Sequence, residues 1–324
     1  MEYGLQVAGM EFPQLRAVAQ AAEGLNYGVL FVPDHFISEG PERQFNPQSI
    51  LHDAMIEVAV LAEATKKVRV GHLVLCNLFR HPMVTAQALA TLDRLSNGRL
   101  VAGLGTGWME REFKMTGIPY PDIATRLRML DEALTCIRSL WSKDSTTFAG
   151  EFYHFEEAVL WPKPVQKLPP ILLGGGGKGL LRVAAKHADV LNIISDAGKP
   201  GYISLKNVAK LTDDSFQSKI AFTREEAKRH GRDGKKIQIS NVIFTSMITD
   251  SPAATKAMAE GMAPMFNTTP EGMLHSPMAL IGTPDECIAE LRRRIKAWDL
   301  SQIVFSFTGE DNMRKLAEQV LAHV

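Results

Sequence analysis

The chain has 324 residues, enough for one large α/β domain or two small ones, and an ordinary globular composition, 45% hydrophobic and 22% charged. Thirty-six Lys and Arg balance 36 Asp and Glu, which excludes a whole-chain electrostatic footprint for nucleic acid or an anionic membrane. Three cysteines without C-x-x-C and nine histidines without H-E-x-x-H argue against a disulfide scaffold and a metal site; no apolar run approaches a membrane span, and the expected compartment is the cytoplasm.

Strand-like and helix-like segments alternate from end to end. Gly4 to Val7 is predicted as a strand, followed by a helix opening at Pro13 and stopping at Gly24. Val29 to Pro33 is the second strand and runs into Asp34-His35-Phe36. After a loop from Ser38 to Pro47, a helix is expected from Ser49 to Lys66 and a third strand from Val68 to Leu75, breaking at Cys76-Asn77. Val84 to Leu95 carries Ala86, Leu89, Ala90 and Leu92 at helical spacing, and Ser96-Asn97-Gly98 stops it. Leu100 to Leu104 suits a strand covered on both faces, running into a bend hinged at Gly103, Gly105 and Gly107 and a polar turn from Trp108 to Phe113. That glycine spacing is not G-x-G-x-x-G, which disfavours a dinucleotide turn.

Arg126 to Trp141 is a long amphipathic helix, and the Pro-rich span Lys143 to Pro170 a loop or small hairpin laid over the barrel. Strand five, Ile171 to Leu173, enters Gly174 to Gly177 and a helix from Lys178 to His187; strand six is Asp189 to Ile194. A polar loop, Ser195 to Asp214, precedes a helix near Phe216 to His230 and strand seven, Ile237 to Thr245. A short helix from Ser251 to Gly261, a loop from Met262 to Pro277, a helix from Thr283 to Ala297, strand eight from Gln302 to Phe307 and a helix from Lys315 to Ala322 close the chain. Eight strand and helix units give an α/β fold of the (β/α)8 TIM-barrel type, one domain over 1–324 with insertions at the C-terminal face of the strands.

Chemistry in such a barrel sits just past the strand ends. His35 after strand two is a candidate proton donor or acceptor near neutral pH, with Asp34 as its neighbour; the competing reading is a turn cap and a structural histidine. Leu73 to Asn77 offers backbone groups, Cys76 and the Asn77 amide to a planar ligand; the competing reading is a plain strand end with an Asn turn. Thr106 and the amides of Gly105 to Trp108 line a ligand, while Trp108, Glu110 and Glu112 either contact substrate or, for the two acids, begin a solvated helix. Gly174 to Gly177, with Gly175, Gly176 and Gly177 just ahead of Lys178, read as a phosphate cradle at a helix N-terminus, four consecutive glycines being costly without a reason; the competing reading is a plain flexible loop.

These segments resemble the bacterial luciferase-like superfamily of flavin- and deazaflavin-dependent oxidoreductases, and within it the coenzyme F420-dependent branch. The matching pieces are Asp34-His35-Phe36, Phe79-Arg-His-Pro82, Leu92 to Leu100, Gly103-Leu-Gly-Thr-Gly107 with Trp108 and Glu112-Phe113, Gly117-Ile-Pro119, Phe148 to Phe155, Pro162 to Val165 and Pro170 to Gly177. The resemblance implies a cofactor ring over the strand ends, lying against a non-prolyl cis peptide at Leu73–Val74, with its phosphate tail toward Gly175 to Lys178. Asp34 and His35 match a cofactor-contacting Asp and an active-site His. Related sugar-phosphate dehydrogenases carry a catalytic Glu directly after Gly-Thr-Gly, where this chain has Trp108. The implied activity is hydride transfer between F420 and a small organic substrate, in a homodimer, with His35 and Trp108 at the reacting centre. The alternatives are an FMN-dependent monooxygenase served by a separate reductase and a catalytically idle cofactor-binding protein.

Overall fold

The computed structural model describes residues 1–39, 45, 46, 48–196 and 210–324. Eight parallel strands close on themselves: β1 (Glu2–Gln6), β2 (Val29–Val32), β3 (Arg69–His72), β4 (Leu100–Gly105), β5 (Ile171–Gly174), β6 (Val190–Ile193), β7 (Gln238–Ile243) and β8 (Leu300–Ser306). Neighbours in sequence are neighbours in the sheet, and pairing of Glu2 with Gln302 between β1 and β8 completes the ring. This is the α/β barrel expected from the strand count.

The strands point alternate residues inward. Val29, Phe31, Val101, Leu172, Val190, Val242 and Val304 fill the interior, and Leu73, Val74 and Ile194, all half-buried, pack against them. A polar chain also threads the interior: Asn192 donates to Ser240, Ser240 to Gln302, and Gln302 to Glu2, which pairs with Arg69. The alternate residues face the helices α1 (Phe12–Gly24), α2 (Ala54–Ala64), α3 (Pro82–Leu95), α4 (Ile123–Ser142), α5 (Lys178–His187), α6 (Asp213–Arg229) and α7 (Pro284–Trp298), forming the larger outer core.

Several boundaries differ from the sequence reading for local reasons. Helix α2 begins at Ala54, not Ser49, because the Asp53 carboxylate accepts from the amides of Met55 and Ile56 and caps it there. Helix α4 starts three residues early, capped by Asp122 on Thr125 N. The third strand is not continuous: it stops at His72 and resumes as a two-residue pairing, Leu75–Cys76, beside β4. Strand seven is cut at Phe244; Thr245–Ile248 leaves the barrel and pairs in parallel with Ala279–Gly282, a strand the sequence reading missed. The expected loop 262–277 holds two helical turns, Ala263–Phe266 and Pro270–Leu274, and the polar turn after β4 is a short helix, Glu110–Thr116. The expected hairpin over the barrel is Thr146–Ala149 paired with His154–Ala158. Most of the loop 195–214 lies outside the described residues, as does most of 38–47, where Ser38–Glu39 pairs with Phe45–Asn46. Among the described residues no helix is long and apolar enough to cross a membrane.

Candidate active site

The site's floor is built by glycines that make room for protein. The Leu73–Val74 peptide bond is cis, and this turn at the end of β3 occupies space that side chains on β4 and β5 would otherwise fill. A Cβ on Gly103 would stand 1.7 Å from the His72 carbonyl oxygen; one on Gly105 would stand 2.7 Å from Val74 Cγ2, and one on Gly174 3.0 Å from Val74 Cγ1. The Gln6 amide, pointing inward from β1, donates to the Leu73 carbonyl at 2.8 Å and holds the turn from across the barrel. Gly103 and Gly105 thus leave room for His72 and Val74, and the turn so seated presents Leu73 and Val74 half-exposed at the mouth.

Beside this floor, the ends of β2 and β4 meet through one carboxylate. Glu112, on the short helix after β4, is 1% exposed. Its Oε1 accepts from the amides of Phe36 at 2.5 Å and Ile37 at 3.3 Å, and its Oε2 lies 3.0 Å from His35 Nδ1. The His35 ring, about a quarter exposed, meets the Trp108 ring edge-on with centroids 5.5 Å apart. Trp108 is held in turn by its carbonyl, which accepts from the Tyr120 hydroxyl at 3.0 Å. The Arg126 guanidinium lies 4.0 Å over the Tyr120 ring and donates to the Gly107 carbonyl. Gly107 has φ +73, and a Cβ there would stand 2.6 Å from Cys76 Sγ, so the bend is closed down onto the third strand's end.

Asp34 is turned to the opposite side. The alternation that sends Leu30 and Val32 to the helix layer carries Asp34 with them, and its carboxylate takes both Arg80 nitrogens, at 2.7 and 3.1 Å, and the Cys76 amide at 2.9 Å. Arg80 also reaches Asp53, the cap of α2. Asp34 thus ties the ends of β2 and β3 together from behind. Burial pushes the Cys76 thiol up to about 12, which keeps it a neutral packing group. Asn77 is buried, with its amide 3.4 Å from the Tyr153 hydroxyl.

At the end of β5 the four glycines serve different ends. A Cβ on Gly175 would strike Leu180 Cδ2 at 2.1 Å and one on Gly176 the Ile194 carbonyl oxygen at 2.0 Å, so packing already demands both. Gly177 caps α5, and a Cβ there would meet nothing nearer than the Asp196 carboxylate at 3.6 Å. Lys219 reaches in from α6 and donates to the Gly176 carbonyl at 2.5 Å. Burial, with Lys178 nearby, lowers its pKa against the opposing pull of Asp196. The outcome is a helix N-terminus with one open glycine, flanked by two lysines and one carboxylate.

Residues 2–263 match the luciferase-like monooxygenase family. The chain is a member of that family. The F420-dependent glucose-6-phosphate dehydrogenase of Amycolatopsis mediterranei (strain U-32) is 27% identical over 314 residues, covering 93% of this chain and 90% of that protein. An F420-dependent secondary alcohol dehydrogenase, solved in complex with an F420-acetone adduct, superposes with a TM-score of 0.77 at 22% identity, covering 100% of this chain and 99% of that one. A riboflavin lyase solved with modified FMN and riboflavin superposes with a TM-score of 0.78 at 15% identity, covering 99% and 90%. At these identities the two solved structures speak for the fold.

In this luciferase-like chain the structure brings His35, Thr106, Gly107, Trp108, Leu73 and Val74 to the partly exposed mouth, places Gly105, Cys76 and Asn77 in the wall beneath it, and turns Asp34 to the back of that wall. Gly175 to Lys178 stand at the end of β5. Glu110 and Glu112, open to either fate in the sequence, divide: Glu110 forms a surface pair with Lys114, and Glu112 is buried under His35. Gln6, Arg126 and Lys219 were not singled out in the sequence as site residues, and Arg80 entered it only as part of Phe79-Arg-His-Pro82. Their partners lie between 19 and 67 residues away, and no local pattern of residue types marks such pairs.

Proposed function

We propose that the chain is a coenzyme F420-dependent oxidoreductase acting on a small organic substrate, with His35 as its proton-handling residue. The observation that carries this reading is the end-to-end similarity to an F420-dependent glucose-6-phosphate dehydrogenase. The residues at the mouth suit a planar ring with an anionic tail: an apolar floor at Leu73 and Val74, and at the end of β5 the open Gly177 at the N-terminus of a ten-residue helix flanked by Lys178 and Lys219. Bound F420 supplies the hydride donor or acceptor. The chain itself supplies the floor, the tail's helix end and a proton carrier, His35, oriented by Glu112. By the resemblance Trp108 stands where the sugar-phosphate enzymes carry their acid; it has no exchangeable carboxyl, which favours a role in shaping the substrate pocket and speaks against a sugar-phosphate substrate.

Titrating the purified protein separately with F420 and FMN tests this. Saturable F420 binding with weaker FMN binding is expected. Tight FMN binding without F420 affinity would overturn the reading in favour of a two-component monooxygenase.

A further inference from the structure

We infer that Glu112 is a positioning residue whose carboxylate fixes the tautomer and direction of the His35 ring, an inference that rests on the proton-handling role proposed for His35. The short helix after β4 places Glu112 with almost no exposure, and the chain could satisfy a buried carboxylate there with the Phe36 and Ile37 amides alone. Both amides fall on Oε1. Oε2 is turned to His35 Nδ1 at 3.0 Å.

An oxygen of a carboxylate accepting on this side can only be met by an N–H, so the proton of the neutral ring sits on Nδ1 and the lone pair is left on Nε2. The same carboxylate therefore holds the backbone on the C-terminal side of His35 and the ring itself, while Trp108 packs against the ring edge-on. Asp34 and Arg80 face each other, and the nearby Cys76 thiol is buried and neutral. The consequence is an Nε2 prepared to accept a proton, as the oxidation of a substrate hydroxyl requires. In that reaction Nε2 would take the hydroxyl proton as the C–O bond becomes a carbonyl, and bound F420 would supply the acceptor for the carbinol hydride. The logic is that of a third group orienting a catalytic base.

The test reads the ring directly in the protein without cofactor. Protein labelled with 15N-histidine, with His35 assigned through His35→Gln, is expected to show the neutral His35 ring protonated at Nδ1 and bare at Nε2. In Glu112→Gln the amide oxygen retains the two backbone donors and the NH2 faces the ring, so the proton is expected to move to Nε2. In Glu112→Asp a carboxylate is kept, and the original tautomer is expected. With a substrate in hand, Glu112→Gln lowers kcat about 100-fold, with KM and F420 affinity changed less than about 3-fold. A wild-type ring protonated at Nε2, or a folded Glu112→Gln protein with an unchanged tautomer, overturns the inference. Should Glu112→Gln not fold, the wild-type spectrum alone decides. Failure to bind F420 would sink the proposed function and leave the tautomer result standing, so the two are separable.

Discussion

At the ends of β2 and β4 the mouth is held by side chains that reach across the sequence: Glu112 to the backbone 76 residues away, Arg80 to Asp34, Tyr120 to Trp108. At the end of β5 it is held by side chains that are missing, since Gly174, Gly175 and Gly176 give their space to Val74, Leu180 and the Ile194 carbonyl. The first region uses directional polar contacts, each removable by deleting one group. The second uses close packing, where the addition of one methyl does the damage. Deletions should therefore act on chemistry in the first region, and additions should act on stability in the second.

The strongest expected effect is on the polar side. His35→Ala should lower turnover by about 10²–10⁴-fold, the usual range for a positioned acid or base, while F420 affinity by fluorescence titration stays within about 3-fold. Equal losses in both would place His35 in cofactor binding instead. Next comes a pair at the glycines. Gly176→Ala, with its methyl 2.0 Å from a backbone oxygen, should cost at least about 3 kcal/mol in urea unfolding. Gly177→Ala, with ordinary φ −77 and room for a methyl, should change stability by less than about 1 kcal/mol. Comparable losses for the two would remove the distinction between a packed glycine and an open one. Trp108→Ala is expected to lower turnover about 10-fold with F420 affinity within about 2-fold, the pattern of a residue that meets substrate rather than cofactor.

The smallest effect lies behind the polar region. Burial, with Asp53 nearby, pushes the Glu57 carboxyl from 4.5 up to about 7. A folded value above the unfolded one means that its contribution is intact below about pH 4.5 and is lost as pH rises through 7. Glu57→Gln should accordingly raise stability at pH 8 and leave it unchanged at pH 4. Thermal melts at the two pH values check this, and a gain at pH 4 alone would contradict it.

Much of the barrel was legible because each of its signals is local. Val29 to Pro33, Leu100 to Leu104 and Ile171 to Leu173 are short apolar runs between turn signals, and Ser96-Asn97-Gly98 stops a helix within its own three residues. Ala279–Gly282 was lost because a four-residue strand whose partner starts 34 residues earlier has no period to detect. Asp34 and Glu112 were equally visible as acids past strand ends. Only the return of the chain after β3 brought Arg80 to one of them, and only the turn of the short helix after β4 sent the other to His35.

The sequence by itself determined the (β/α)8 order, the strand ends where chemistry is possible and the glycine run before Lys178, because these depend on residue type and spacing along the chain. Tertiary structure alone decided which acid serves the histidine, which glycines are packed and which is open, and that Lys219 and Gln6 belong to the mouth. Those assignments depend on which face a side chain takes and on what stands within a few ångströms of it. Both are fixed only when the strands have closed into the barrel.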